Sequence, residues 1–156
     1  MLEQKFNRAS ASEDVNDQLS DERLDRVSSS VATALRSVTG AGHFERIDAA
    51  AKTLMAAQTI AVFGLGGSSA VLAMEGQNRF FRLGLRAVAH VDSYMQRMTA
   101  ATLKKGDVVL FVSSTGQPEP LADSARIART YGAACIVMAP EKSPLAALAD
   151  VVIPIE

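Results

Sequence analysis

The chain has 156 residues, of which 48% are hydrophobic and 21% are charged, and its formal net charge is -1. These values fit one globular domain with a buried core, and they exclude a general electrostatic attraction to nucleic acid or to anionic membranes. The one cysteine, Cys135, excludes an internal disulfide. Because the N-terminus is polar and no apolar run is long enough to cross a bilayer, we expect a cytoplasmic protein with no membrane partner.

The first third of the chain predicts a lead-in and two helices. Residues 1–19 are polar and are interpreted as a linker or disordered segment. From Ser20, a candidate N-cap, apolar residues recur at helical spacing as far as Val38, and a second helix is predicted over 43–57. The apolar stripe of the first helix has no sheet of its own to cover. We therefore expect it to pack against a second copy and to give a homodimer or higher oligomer.

The rest of the chain alternates between short apolar runs and helical patterns. Strands are predicted at 59–63, 86–91, 107–112, 134–138 and 150–155, with helices after the glycine turn to about 83, at 94–103, 119–131 and 143–149. Continuous apolar strands separated by helices are typical of a parallel sheet that is covered on both faces. The prediction is an α/β fold: a three-layer, doubly wound, flavodoxin-like sheet of five parallel strands in the order 2-1-3-4-5, with extra N-terminal helices.

Two loops concentrate glycine and hydroxyl side chains: "GLGGSS" (64–69) after the first strand and "SSTGQP" (113–118) after the third. In the predicted strand order both loops leave the sheet at the crevice where ligands bind. Glycines expose N–H groups, a helix start adds unpaired donors, and hydroxyls donate to phosphate oxygens. The predicted phosphate-binding residues are Gly66, Gly67, Ser68, Ser69, Ser113, Ser114, Thr115, Gly116 and Gln117.

Two other phosphate-binding patterns fit less well. The dinucleotide pattern G-x-G-x-x-G needs a third glycine where this chain has Ser69, and a Walker A loop needs a G-K-[ST] sequence that does not occur. No metal or cofactor site is predicted.

The pattern as a whole resembles the SIS (sugar isomerase) domain, a phosphosugar-binding module, from about residue 43 to 156. The resemblance rests on the order and spacing of "VFGLGGSSAVLA", "NRFFRLG", "LKKGDVVLFVSSTG", "ARIARTYGAACIVM" and "SPLAALADVVIPI". Within that superfamily, "VDSYMQRMTAATLKKGD" is most similar to the effector domain of RpiR-type bacterial transcription regulators. This resemblance implies a helix-turn-helix domain ahead of residue 1 and a final helix after the fifth strand. We therefore expect this chain to be an excised effector domain, trimmed at both ends, that reaches DNA only through the absent domain.

The resemblance also assigns roles at the two loops. It implies that Ser113 and Thr115 supply phosphate hydroxyls and that Gly116 completes the loop, while Pro118 stands where the family usually has threonine. The serine of the first loop is either Ser68 or Ser69, depending on the glycine from which the spacing is counted.

The choice between an enzyme and a sensor depends on acid–base groups. Glu119 is the best-placed carboxylate and a possible sugar contact, but a helix N-terminus favours an acid there on electrostatic grounds alone. We interpret His43 as a surface residue and His90 as a structural strand residue. The sequence therefore predicts a non-enzymatic sugar-phosphate sensor; the alternatives are an aldose–ketose isomerase and a dimerisation module with a vestigial pocket.

Overall fold

The computed structural model describes residues 21–36 and 41–155. The chain divides into two compact units, Met1–Ser37 and Val38–Glu156. In the first unit, residues 21–36 form helix α1, on which Leu24, Val27 and Val31 are each more than half exposed. The predicted lead-in, the predicted cap Ser20 and the predicted helix end at Val38 lie outside the described residues.

The second unit is a five-stranded sheet with helices. In chain order its elements are α2 (Ala41–Met55), β1 (Ile60–Gly64), α3 (Gly67–Arg82), β2 (Ala87–His90), α4 (Ser93–Ala100), β3 (Val108–Val112), α5 (Glu119–Thr130), β4 (Ala134–Ala139), a single 3-10 turn (Ala146–Leu148) and β5 (Val151–Pro154). The strands lie in the order β2-β1-β3-β4-β5, and all four neighbouring pairs are parallel. The predicted α/β fold and strand order are confirmed.

Successive residues of each strand point to opposite faces of the sheet and so build two cores. Phe63 and Phe111 pack edge to face in the core beneath α4 and α5, with ring centroids 5.5 Å apart. Ile60 and Val62 enter the other core, to which α2 and α3 contribute Ala50 and Ala73. Because both faces are covered, the central strands β1 and β3 are buried along their whole length, which is why they appear in the sequence as unbroken apolar runs.

Two helices are shorter than the sequence predicts. Helix α4 ends at Ala100 rather than near 103, because Thr102 donates from its amide and its hydroxyl to the carbonyl of Thr99 and closes the turn. The helix predicted over 143–149 is the single 3-10 turn. Only Ala149 and Asp150 separate this turn from β5, which begins at Val151, so the helix has no room to continue.

The outer edge of β2 is partly closed by a side chain. The carboxamide oxygen of Gln77, on α3, accepts a hydrogen bond of 2.5 Å from the backbone N–H of Ala89. Within the described residues, no helix combines the length and the apolar character that crossing a membrane requires.

Candidate phosphate site at the carboxyl ends of β1 and β3

The two loops predicted to bind phosphate meet at one rim of the sheet. β1 and β3 are neighbouring parallel strands, and their last residues, Gly64 and Val112, lie opposite each other in the ladder. The chain therefore leaves both strands on the same side. Ser114 N–H donates to Ser69 Oγ over 3.4 Å, so the loops contact each other directly.

The first loop brings a helix start to this rim. Gly66 has φ 68° and ψ 172° and is the N-cap of α3, and no side chain caps the helix. The amides of the first turn have no partner within the helix, so they remain available as donors. Gly67 and Ser68 are exposed, whereas Ser69 is only 6% exposed. Of the two candidate serines, Ser69 thus ties the loops together, and Ser68 faces solvent at the helix start.

The second loop is a tight turn whose first serine is turned inward. Ser113 is 3% exposed, and its Oγ accepts the N–H of Gly116 over 2.9 Å. Ser114, Thr115 and Gln117 are exposed, and Thr115 Oγ1 accepts the N–H of Gln117 over 3.3 Å. In this conformation Ser113 shapes the turn from within, and the outward hydroxyls are those of Ser114 and Thr115.

A third loop, residues 140–145 after β4, supports this turn. Leu145 N–H donates to the carbonyl of Gly116 over 3.2 Å. Gly116 has φ 63°, and a Cβ built there would overlap Oγ and Cβ of the buried Ser143. Glycine is thus required both by the backbone angle and by the close approach of Ser143. The sequence prediction missed Ser143, because nothing local in "EKSPLA" signals a contact with residue 116.

Gln96 links the rim to α4. This side chain is fully buried, and its Nε2 donates to the carbonyls of Gly64 (3.1 Å) and His90 (2.7 Å), the last residues of β1 and β2. Flipping the amide would place an oxygen against both carbonyls, so its orientation is fixed. Its Oε1 is buried without a hydrogen-bond partner. The stretch "VDSYMQRM" contains this glutamine, but the sequence does not indicate that its side chain binds the carbonyls of Gly64 and His90.

Two acidic side chains near the rim have local partners. Asp92 caps α4 by accepting the N–H groups of Tyr94 and Met95, each over 3.0 Å. Glu119 pairs with Arg126 at 2.9 Å, and this hydrogen bond raises the pKa of the guanidinium. The candidate sugar contact Glu119 is therefore engaged in an exposed ion pair.

The two histidines do not form an acid–base pair in the structure. His43 lies on α2 and is partly exposed. His90 lies on β2 with its ring 6.0 Å from that of Phe63. Among the residues that the structure describes, no three His, Cys, Asp or Glu side chains lie close enough together to hold a metal ion.

Two open hollows lie away from the loops after β1 and β3. One, of about 410 Å³, is lined by α2 residues, Glu141 and the start of β5, and includes Arg46 and Asp150. The other, of about 500 Å³, lies beside the start of β2 and includes Phe81 and Leu85. We place the candidate site at the rim because the exposed hydroxyls and the uncapped helix start meet there.

The family model described as "SIS domain" matches residues 53–156, more than half of the chain. The chain belongs to the SIS domain family.

Curated relatives include both regulators and a bifunctional protein. The chain is 40% identical over 100 residues to the HTH-type transcriptional regulator HexR of Pseudomonas aeruginosa. This matched region covers 64% of this chain and 35% of that protein. It is 37% identical over 109 residues to the bifunctional protein glk of Burkholderia orbicola, covering 70% of this chain and 17% of that protein. The chain thus spans about a third or less of the length of these relatives.

Solved structures share the fold. The Vibrio vulnificus NanR protein complexed with ManNAc-6P matches with a TM-score of 0.78 and 20% identity, over 85% of this chain and 50% of that one. The sugar isomerase domain of an RpiR transcription factor from Sphaerobacter thermophilus matches with a TM-score of 0.75 and 23% identity, over 83% and 73%. These structures show the shared fold, and the resemblance to SIS effector domains of RpiR-type regulators is confirmed by the family model together with the HexR relative.

Proposed function

We propose that this chain is the phosphosugar-sensing and dimerising domain of an RpiR-type transcriptional regulator. A sugar phosphate binds at the rim built by residues 66–69 and 113–117, and binding is relayed to an attached DNA-binding domain. The observation that carries the proposal is the direct contact of two donor-rich turns, Ser114 N–H to Ser69 Oγ. The names of the regulatory relatives support the same role.

The chemistry of the rim suits a phosphate group. The exposed start of α3 offers backbone N–H donors and the positive end of a 16-residue helix dipole. The hydroxyls of Ser68, Ser114 and Thr115 are exposed and can rotate toward phosphate oxygens. Pro118 is the N-cap of α5 and has no hydroxyl to add, so the helix start after the second loop contributes less than it would with threonine.

Binding without turnover is favoured over isomerisation. Moving a proton between adjacent carbons needs a free base at the site, whereas Glu119 is paired with Arg126 and His90 lies against Phe63. Incubation with aldose and ketose phosphates, followed by product analysis, tests this point. Interconversion that Glu119→Gln abolishes would establish the isomerase instead.

Isothermal titration with a panel of sugar phosphates, each beside its phosphate-free sugar, tests the proposal. Thr115→Val removes an exposed hydroxyl and should weaken binding of a phosphorylated sugar about tenfold, since a hydrogen bond to a charged partner contributes about 1.5 kcal/mol or more. The matched control is Thr130→Val, an exposed threonine at the end of α5. If no sugar phosphate of the panel gives heat of binding or changes the melting temperature, the chain is better described as a dimerisation module with a vestigial pocket.

Self-association through α1 completes the proposal. Val27 and Val31 lie one helical turn apart and are 63% and 54% exposed, an apolar stripe suited to a matching helix from a second copy. Light scattering after chromatography should give the mass of a dimer. The double variant Val27→Ser, Val31→Ser should have a lower measured mass, close to that of the monomer. The control double variant Ser28→Ala, Ser30→Ala should keep the mass of the dimer. A monomeric wild-type chain would refute this part.

A further inference from the structure

We propose that Lys142, in the loop after β4, supplies the cation of the phosphate site, which makes that loop the third loop of the site. This inference rests on the proposed function, because it assigns a further residue to the same site. It adds a charged group to a site whose predicted phosphate-binding residues are all uncharged.

The position of the loop is the first argument. The loop after β4 leaves the sheet at the same rim as the loop after β3, because the two strands are parallel neighbours. The two loops are also in contact, since Leu145 N–H donates to the carbonyl of Gly116 and Ser143 packs against the Cα of Gly116. Lys142 immediately precedes Ser143, which contacts Gly116 of the second loop. Its flexible four-carbon side chain therefore starts next to the residue that touches that loop.

The local charges are the second argument. Glu141, the acid next to Lys142, is bound at 2.7 Å by Arg46 of α2. Glu119, the acid after the phosphate turn, is bound at 2.9 Å by Arg126. Lys142 itself is exposed, and no carboxylate of the described residues lies within salt-bridge distance of it. Both acids therefore have a cationic partner, although Arg126 also binds Asp123 at 2.9 Å, and Lys142 is left available for an anion.

The third argument is the deficit at Pro118. This residue caps α5 without a side-chain hydrogen bond, so the second loop lacks one donor that a hydroxyl would give. An ammonium group carries three rotatable donors and a full charge. A lysine that approaches from the neighbouring loop offsets the missing hydroxyl with a stronger, longer-range attraction for a phosphate dianion.

Titration followed by NMR of backbone amides tests the inference on the full chain. Inorganic phosphate and glucose 6-phosphate are added separately to the wild type and to Lys142→Gln, and the amide shifts of residues 114–117 give each dissociation constant. We expect Lys142→Gln to weaken the binding of both ligands about two- to fivefold, which is the upper part of the range for an exposed charge pair. Lys142→Arg should bind like the wild type, and the deficit of the glutamine variant should shrink in high salt.

The matched control is Lys105→Gln, which removes the same charge from an exposed lysine in the turn before β3, at the opposite end of the sheet. If Lys142→Gln binds within twofold of Lys105→Gln, the inference is overturned while the phosphate site stands. If the wild-type amides of residues 114–117 respond to neither ligand, the proposed function fails, and the role of Lys142 fails with it. Equal melting temperatures of the two variants would show that lost binding is not lost folding.

Discussion

Replacing Gly116 by alanine should destabilise the fold through two separable effects. The backbone at this residue has φ 63°, a left-handed conformation that costs an L residue about 1–2 kcal/mol. The added Cβ would also overlap the buried side chain of Ser143, and forcing extra atoms into a packed site costs about 1–3 kcal/mol. The expected loss in the free energy of unfolding is therefore about 2–5 kcal/mol, a large part of what holds a domain of this size together.

A double-mutant cycle separates the two effects. Ser143→Gly removes the atoms that the new methyl group would meet, at a cost of about 1 kcal/mol, because Ser143 Oγ accepts the N–H of Ala146. In the double variant the overlap should vanish, while the backbone cost and the cost of Ser143→Gly should both remain, which gives a favourable coupling of about 1–3 kcal/mol. Urea unfolding followed by circular dichroism supplies all four values.

Gly84→Ala is the matched control. Gly84 has a similar positive φ of 75°, but a Cβ built there meets nothing within 4 Å. It should therefore lose only the backbone cost of about 1–2 kcal/mol. Two results would refute this reasoning: Gly116→Ala lowers the free energy of unfolding no more than Gly84→Ala does, or the effects of the changes at 116 and 143 add without coupling. Either would mean that the contact between the third loop and residues 113–117 does not fix the shape of this site.

Further predictions follow from other buried contacts. Gly64→Ala should lower the free energy of unfolding in urea by about 3 kcal/mol or more, because the added Cβ would overlap the main chain of Ser69. The control is Gly76→Ala in the middle of α3, where the Cβ meets only a valine methyl at 3.4 Å, so the free energy should change by less than about 1 kcal/mol. Gln96→Met should lower the free energy of unfolding by about 1–3 kcal/mol, since two carbonyls lose their donor while the unpartnered oxygen is removed. Burial raises the pKa of the Cys135 thiol from 9.0 to about 12, so the native thiol should resist thiol reagents at pH 8. Because the thiol ionises at lower pH in the unfolded chain than in the folded one, the free energy of unfolding should fall between about pH 9 and pH 12. Cys135→Ala should remove this part of the pH dependence. Rapid labelling of the native protein at pH 8, or an identical alkaline profile for both chains, would contradict this last expectation.

The frame of the fold was predictable because its signals are local. Each strand is a short apolar run, so its bounds could be placed to within one or two residues, and parallel strands with helical crossovers leave few possible orders. The convergence of the two loops after β1 and β3 followed from that order alone. The ends of the helices were less predictable, because a single side chain such as Thr102 closes α4 early.

The details of the site were not predictable because they depend on contacts between distant parts of the chain. Ser143 meets Gly116 across 27 positions of sequence, and Gln96 reaches back to Gly64 across 32. The sequence left the choice between Ser68 and Ser69 open, since only tertiary packing makes one of them exposed and the other buried. It also gave no sign that the Ser113 hydroxyl faces inward and closes its own turn.

The hydrogen bond from Ala89 to Gln77 has a consequence for how copies of this chain can meet. An edge strand with open amides is a template on which a second sheet can grow. Here the edge strand β2 has only four residues, and one of its outward amides is already occupied by a side chain of α3. A second sheet that paired along this edge would have to displace the Gln77 side chain, so continuous ribbons built through β2 are disfavoured.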